Sequence, residues 1–484
     1  MTIAETLAGR IAGVTYGALP EAARHWAKVA IMDTVGCTLA GAEEPCARIA
    51  ARVAVLGGGQ GDCVVFGTGE RVGPLDAALI NGTAAHALDY DDCSDTLGGH
   101  PSAPILPALF ALAETRGVNG RDFIAAYVAG WETETRIARG INFHHYEKGW
   151  HPTATIGVFG AAAACARLLN LSVEQTARAL ALAATFSSGL KANFGTMTKP
   201  LHVGHAARNG LYAALLASEG FTSSTDALEH RQGFLRVFNG EGNFTIDPVV
   251  AEWGEPWDIV EPGVAIKQYP CCGSTHPAID AMLMLAREHD LVPGTVARIE
   301  SWTHPRRFAH TNRPDPRGAL DAKFSVQYCL ARALVSREVL IGHFEGDTYR
   351  EPAVQAVLPR VASGAWPARE MDVSEHFGAD VKVTLTDGRV LTRSVPRPLG
   401  RGPGVPLPPA LLRGKFIDCA QRVLSGEAAN RLHGMLRTLE TVNQMRALTE
   451  AAVPRAALAA HQAETRSDHP PVPGLVPGTR LKEP

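Results

Sequence analysis

The sequence predicts a mainly α protein, a large helical region followed by a smaller α+β unit. Three observations predict it. From Pro20 to about residue 220, apolar residues recur at three- and four-residue steps, the period of an amphipathic helix. Between residues 296 and 393 the pattern switches to alternation around an Asp-Gly pair, the mark of strands and a hairpin. Finally, 484 residues exceed what one hydrophobic core usually organises, and aromatic residues at only 6% favour closely packed helices over a β-sandwich.

The elements follow in order. Pro20 and Glu21 open a helix, because proline suits the first turn and an acid complements its positive end. Helical periodicity then covers Ala77–Leu88, Ala103–Arg116, Gly120–Gly140, Thr155–Leu169, Val173–Phe186 and Ala206–Glu219, separated by Gly, Asn and Pro breaks. Residues 233–262 read as loop with short elements. Past Tyr269-Pro270 the character changes. Pro277–His289, Leu320–Ala333 and Glu351–Val361 read as helices, Val296–Trp302 as a strand. Asp380–Thr386 and Arg389–Arg393 read as a hairpin closed by Asp387-Gly388. The α+β unit therefore spans roughly 267–403. A Pro/Gly-rich stretch, 396–409, leads to helices ending near Ala452, and an extended tail is expected from Pro454. Gly57–Gly61 reads as a turn.

Composition excludes several function classes. A net charge of −3, from 46 basic and 49 acidic residues, leaves no electrostatic footprint for nucleic acid or an anionic membrane. The most apolar stretch, Thr153–Leu171, is interrupted by Arg167 and gives no membrane span. The N-terminal residues lack a basic region followed by an apolar run, so no signal peptide is expected. Nine cysteines with no CxxC pair support neither a disulfide scaffold nor a zinc or iron–sulfur site, and a reducing cytoplasm is the expected compartment.

Three clusters carry candidate chemistry. His-Pro occurs five times, and at His100, His151 and His276 it precedes an apolar helical run, whereas His304 and His469 lack that context. A histidine at a helix start lies where the dipole disfavours imidazolium and free N–H groups hold carboxylates. Proton exchange near neutral pH beside a bound anion is the chemistry this suits. Next comes His86-Ala-Leu-Asp89-Tyr-Asp91-Asp92-Cys93, where the acids orient a base or hold a divalent ion. The EF-hand spacing is missing, and acid–base work is the preferred reading. The third cluster places Lys199, His202, His205 and Arg208 around Gly195 and Gly204, just before a helix: an anion cradle without the phosphate-loop pattern.

Read together, these blocks resemble the MmgE/PrpD family, which includes 2-methylcitrate dehydratases, cis-aconitate decarboxylases and iminodisuccinate epimerases. The matching text is Asn81-Gly82 through Asp92, Gly99-His100-Pro101-Ser102, Gly149-Trp150-His151-Pro152-Thr153 and Thr198-Lys199-Pro200-Leu-His202 with Gly204–Gly210. Tyr269–His276 and Ala322-Lys323-Phe324-Ser325 complete it. The likeness runs from about residue 5 to 450 in unchanged order. It implies a discontinuous helical domain, 1–266 with 404–453, carrying residues 267–403 as an inserted lid. It also implies a homodimer, an active site in the cleft between domains and no cofactor.

Carried over by position, the family's active-site residues fall on Asp89, His100, His151, Lys199 and His276, with Tyr328 as a further candidate. Cys93, His202 and Arg208 join Tyr328 as candidate substrate contacts; Cys93 stands where the dehydratase and decarboxylase patterns carry Thr. The expected activity is a cofactor-independent, metal-free lyase of dehydratase type, acting at the carbon α to a carboxylate of a small di- or tricarboxylate resembling 2-methylcitrate. In it His100 or His276 moves the proton, and Lys199 steadies the developing charge. Decarboxylation of a cis-aconitate-like substrate and epimerisation of an iminodisuccinate-like one are the alternatives, because all three pass through related carbanions. A metal-dependent hydrolase or hydratase on Asp89, Asp91, Asp92 and His100 and, from another class, a non-catalytic carboxylate-binding protein rank below these.

Overall fold

A computed structural model describes residues 1–57, 61–367 and 377–454. The tail expected beyond Pro454, His469 within it and the middle of the Gly57–Gly61 turn lie outside the described residues.

The N-terminal half is a stack of helices around one that is buried on nearly every side. This is Pro74–Ala87, which packs against Glu21–Gly41, Ser102–Arg116 and Thr198–Ser218. Its residues from Ile80 to Ala87 are all buried, in keeping with a composition of Ala, Gly, Asn and Thr that has no large polar face. Small residues let the backbones close. A Cβ on Gly204 would sit 2.2 Å from the Leu79 carbonyl oxygen and 2.3 Å from Thr83 Oγ1. That crossing sets the distance between the end of one helix, where Asp89 lies, and the start of the other, where Lys199 lies. Gly204→Ala is therefore expected to destabilise the fold by about 1–3 kcal/mol, the usual cost of overpacking. It should also lower turnover, read by thermal melting and an activity assay together.

Helices Pro409–Ala420 and Gly426–Arg437 return to pack on Glu21–Gly41. One hydrophobic core consequently draws on residues between Ile3 and Ile266 and again between Leu407 and Val453. A second core takes its residues from Tyr269 to Val395.

The strands are β1 (Cys63–Val64), β2 (Arg71–Val72), β3 (Cys93–Ser94), β4 (Val264–Ala265), β5 (Val296–Thr303), β6 (Val361–Ala365), β7 (Ala379–Leu385) and β8 (Val390–Val395). The last four form one sheet in the order β6-β5-β7-β8, with β5 and β6 parallel and the other pairs antiparallel. Along β7 buried and half-buried residues alternate, and helices His276–Glu288 and Val326–Ser336 cover the sheet. β3 pairs with β4, fastening the acidic segment to the chain that leads into the second core.

Four expectations need correction. The helix carrying Lys199 begins at Thr198, not Ala206, so Lys199, His202, His205 and Arg208 are helical residues, not a loop before a helix. Leu320–Ala333 is two helices, Ala319–Ala322 and Val326–Ser336, because the Ser325 hydroxyl accepts from the Tyr328 N–H and caps a new start. Glu351–Val361 ends its α-helix at Val357, and Val361 begins β6. The hairpin turn is Thr386-Asp387-Gly388, with positive φ at Gly388 alone, in place of a two-residue Asp-Gly turn.

Candidate active site

Helix Pro74–Ala87 stops at Leu88, and Asp89 turns into the left-handed region at φ 54°. The last carbonyls of a helix need partners, and the acids that follow oppose its dipole. Three distant lysines meet both needs. Lys323 Nζ donates to the Leu88 carbonyl at 2.6 Å, Lys267 Nζ to that of Asp89 at 2.7 Å and Lys415 Nζ to that of Tyr90 at 2.7 Å. A buried acidic turn is thus pinned by ammonium groups from three other segments.

The side chains of the turn divide into distinct protonation states. Burial alone would raise the Asp89 carboxyl, but Lys199 Nζ at 2.8 Å and Lys267 Nζ at 3.1 Å from Oδ1 hold it well below the usual carboxylate range. Asp91 faces the same desolvation; His100 Nδ1 at 3.2 Å and His86 Nδ1 at 2.9 Å from Oδ2 likewise hold it low. Asp92 goes the other way. Burial pushes it well above normal, although Ser102 donates to it through both its hydroxyl and its N–H.

His100 bridges the two ionised acids, with Nε2 3.5 Å from Asp89 Oδ1. Desolvation opposes its charge, yet Asp91 and the Cys93 thiol outweigh it and raise its pKa to about 10. The helix-start argument predicts a neutral imidazole here; the adjacent carboxylates overturn it. His151, the N-cap residue of Pro152–Thr155, is neutral as expected but for another reason, since burial, then His86 and Lys199, drive its pKa well below 6.5. His86, lowered to about 4 chiefly by burial, is also neutral and donates from Nδ1 to Asp91.

Asp89, Cys93, His100, His151 and Lys199 line one cleft of about 490 Å³ between the two cores, opposite Cys272, Arg307, His310 and Arg401. Cys93 Sγ lies 3.8 Å from His100 Nδ1. The other candidates stand elsewhere. His276 is buried behind the wall, its Nε2 3.3 Å from the Cys271 carbonyl and its ring against Tyr269. His202 supports His151 from behind, with Nδ1 atoms 3.3 Å apart. Arg208 lies near His205 on the same helix and does not line the cleft. Tyr328 is fully buried and donates to the His343 carbonyl.

Sequence reasoning missed Lys267, whose ammonium lies 3.1 Å from Asp89 Oδ1 and donates to the Asp89 carbonyl. The available signal was a lone lysine after the apolar run Val264-Ala265-Ile266, two residues before the Tyr269-Pro270 block. Cys272 was passed over as well. Burial opposes its ionisation, but His310 lowers its pKa to about 6.

His86, Asp89, Asp91 and His100 offer ligand atoms within 4.8 Å of one another, the only such group among the described residues. The charges already present argue for protons over a divalent ion: two ammonium groups sit on Asp89, and an imidazolium lies between the carboxylates. No helix among the described residues is long and apolar enough to cross a membrane.

An ionised acid pair, a charged histidine, a neutral histidine and two lysines around one cleft suit acid–base chemistry on an anion. The chain belongs to the MmgE/PrpD family, matching its N-terminal domain over residues 5–247 and its C-terminal domain over 269–441. It is 29% identical to a cis-aconitate decarboxylase of Homo sapiens over 458 residues, 93% of this chain and 94% of that one. A cis-aconitate decarboxylase-like protein of Aspergillus oryzae is 30% identical, covering 87% and 91% of the two chains. One cis-aconitate decarboxylase of Aspergillus terreus is 29% identical over 89% and 92%.

Proposed function

We propose that the protein is a cofactor-independent decarboxylase of a small tricarboxylate of the cis-aconitate kind. The observation that carries this reading is His100, a half-buried imidazolium facing the cleft beside Lys199 and Lys267. The near full-length likeness to cis-aconitate decarboxylases supports it and moves the reading away from the dehydratase expected first.

In the reaction, Lys199 and Lys267 bind the carboxylate conjugated with the double bond. As the bond to the departing carboxylate breaks, its electron pair spreads through the alkene onto the bound carboxylate, whose charge the two ammonium groups stabilise. His100 delivers its proton to the carbanionic carbon, and Asp91 holds the ring in place. The net change is loss of CO₂ and gain of one proton. His151, neutral and backed by His202, accepts a hydrogen bond or a proton within the cleft. Residues 267–403 act as the lid over a helical domain formed by 1–266 and 404–453. The same family likeness proposes a cytoplasmic homodimer, which light scattering and fractionation test.

The decisive experiment offers cis-aconitate, 2-methylcitrate, citrate and iminodisuccinate to the enzyme in D₂O and follows products by NMR. Release of CO₂ from cis-aconitate, with one deuterium on the product carbon, is the expected result. Water loss from 2-methylcitrate alone would return the dehydratase reading, and no turnover or exchange on any polycarboxylate sinks both.

A further inference from the structure

The inner end of the cleft, with Lys199 and Lys267, accounts for one carboxylate. The outer end is also built for an anion. Arg307, on the helix Pro305–Thr311, and Arg401, just past β8, both line it. Their guanidinium carbons lie 3.9 and 4.0 Å from the centre of the Phe377 ring, so one aromatic ring supports both forks. Arg307 Nη1 also donates to Ser274 Oγ at 3.2 Å, which fixes the roll of its guanidinium.

Asp95 is a carboxylate that lines this end. Asp95 is ion-paired to Arg401 and lies 3.7 Å from Arg397, so one carboxylate is shared between two arginines. Burial and then Arg401 lower the Arg307 pKa to about 9, against the opposing pull of Asp95. An entering carboxylate meets planar donors with matching geometry.

The structure assigns Arg307 and Arg401 as a second carboxylate subsite, which takes the remaining substrate carboxylate, the one that neither departs nor accepts the developing charge, and selects tricarboxylates over dicarboxylates. This assignment rests on the decarboxylase reading for the identity of the substrate, but its binding test does not. Asp95 tempers the subsite by competing with the incoming carboxylate for Arg401.

Isothermal titration with propane-1,2,3-tricarboxylate and with succinate tests it without turnover. In Arg307→Met, affinity for the tricarboxylate should fall about ten- to hundredfold, the effect of losing a hydrogen bond to a charged group. Affinity for succinate should change little, because the inner lysines hold it. Asp95→Asn, which removes the competitor and no substrate contact, should tighten the tricarboxylate alone. Equal losses for both ligands in Arg307→Met, or no loss, overturn the assignment. Should Arg307→Met fail to fold, Asp95→Asn decides the matter: unchanged or weaker tricarboxylate binding overturns it. Selective binding without turnover of cis-aconitate by the wild type sinks the decarboxylase reading and leaves the subsite standing; turnover without selectivity does the reverse.

Discussion

Replacing His100 by Gln should lower kcat by about 10²–10⁴, the range for loss of a positioned general acid. It should also remove the alkaline limb of the pH profile. The sign follows from the charge balance. Asp91 and Cys93 hold His100 protonated up to about pH 10, so activity that needs the imidazolium forms a plateau through neutrality and falls above about pH 10. Asp91→Asn supplies the complementary result. With one carboxylate gone, desolvation regains ground, and the limb should move acidward by about 1–3 units, the usual effect of a nearby opposite charge. A fixed alkaline limb in Asp91→Asn would show that another group supplies the proton. Stability responds in the same direction. The folded-state pKa of His100 is raised above the ordinary 6.5, so its ion pairs contribute fully below that value. That contribution is lost as pH rises through about 10, a trend that thermal melts across this window can read.

The parts of this site that were legible in the sequence are those encoded locally. A helix start at Ser102 or Pro152 depends on neighbouring residues, and so does the clustering of Asp89 and Asp91 beside His86. Helix extents from Ser102 to Phe186 follow from periodicity and local caps, such as Ser172 accepting from the Gln175 N–H. What was not legible depends on chain segments far apart. Lys267, Lys415 and Lys323 reach the carbonyls of residues 88–90 across 178, 325 and 235 positions, and no spacing rule links them. The charge on His100 has the same origin: its own helix start argues for a neutral ring, and only the folded placement of Asp89 and Asp91 reverses it. β6 escaped notice because Val361-Ala-Ser-Gly-Ala365 has little intrinsic strand preference and is recruited by pairing with β5. His276 shows the converse error. Its His-Pro context matches that of His100, yet its ring turns behind the cleft wall to the Cys271 carbonyl. A shared local motif does not fix which way a side chain faces.

The two lysines on Asp89 should separate cleanly when each is replaced by Met. Both ammonium groups stabilise charge developing on the substrate, so each variant should lose about 10²–10³ in kcat, comparable to removing one preorganised donor. Their structural roles differ. Lys199 donates to the Asp89 side chain, whereas Lys267 contacts both that side chain and the Asp89 carbonyl. Lys267→Met therefore leaves a buried carboxylate short of one counterion and a helix-end carbonyl without its donor. Breaking either buried pair costs about 3–5 kcal/mol, and the carbonyl stripped of its donor should make Lys267→Met melt below Lys199→Met. The pH dependence reports the counterions instead. Asp89 titrates well below its ordinary value in the intact site, so its contribution to stability is present above an ordinary carboxylate pKa and lost as pH falls through the depressed one. With either lysine gone that depression shrinks, Lys199 being the larger contributor, and acid unfolding should begin at higher pH in both variants. Equal melting temperatures for the two variants would place Lys267 outside the clamp on the acidic turn, and acid midpoints unmoved in both would overturn the electrostatic account of Asp89.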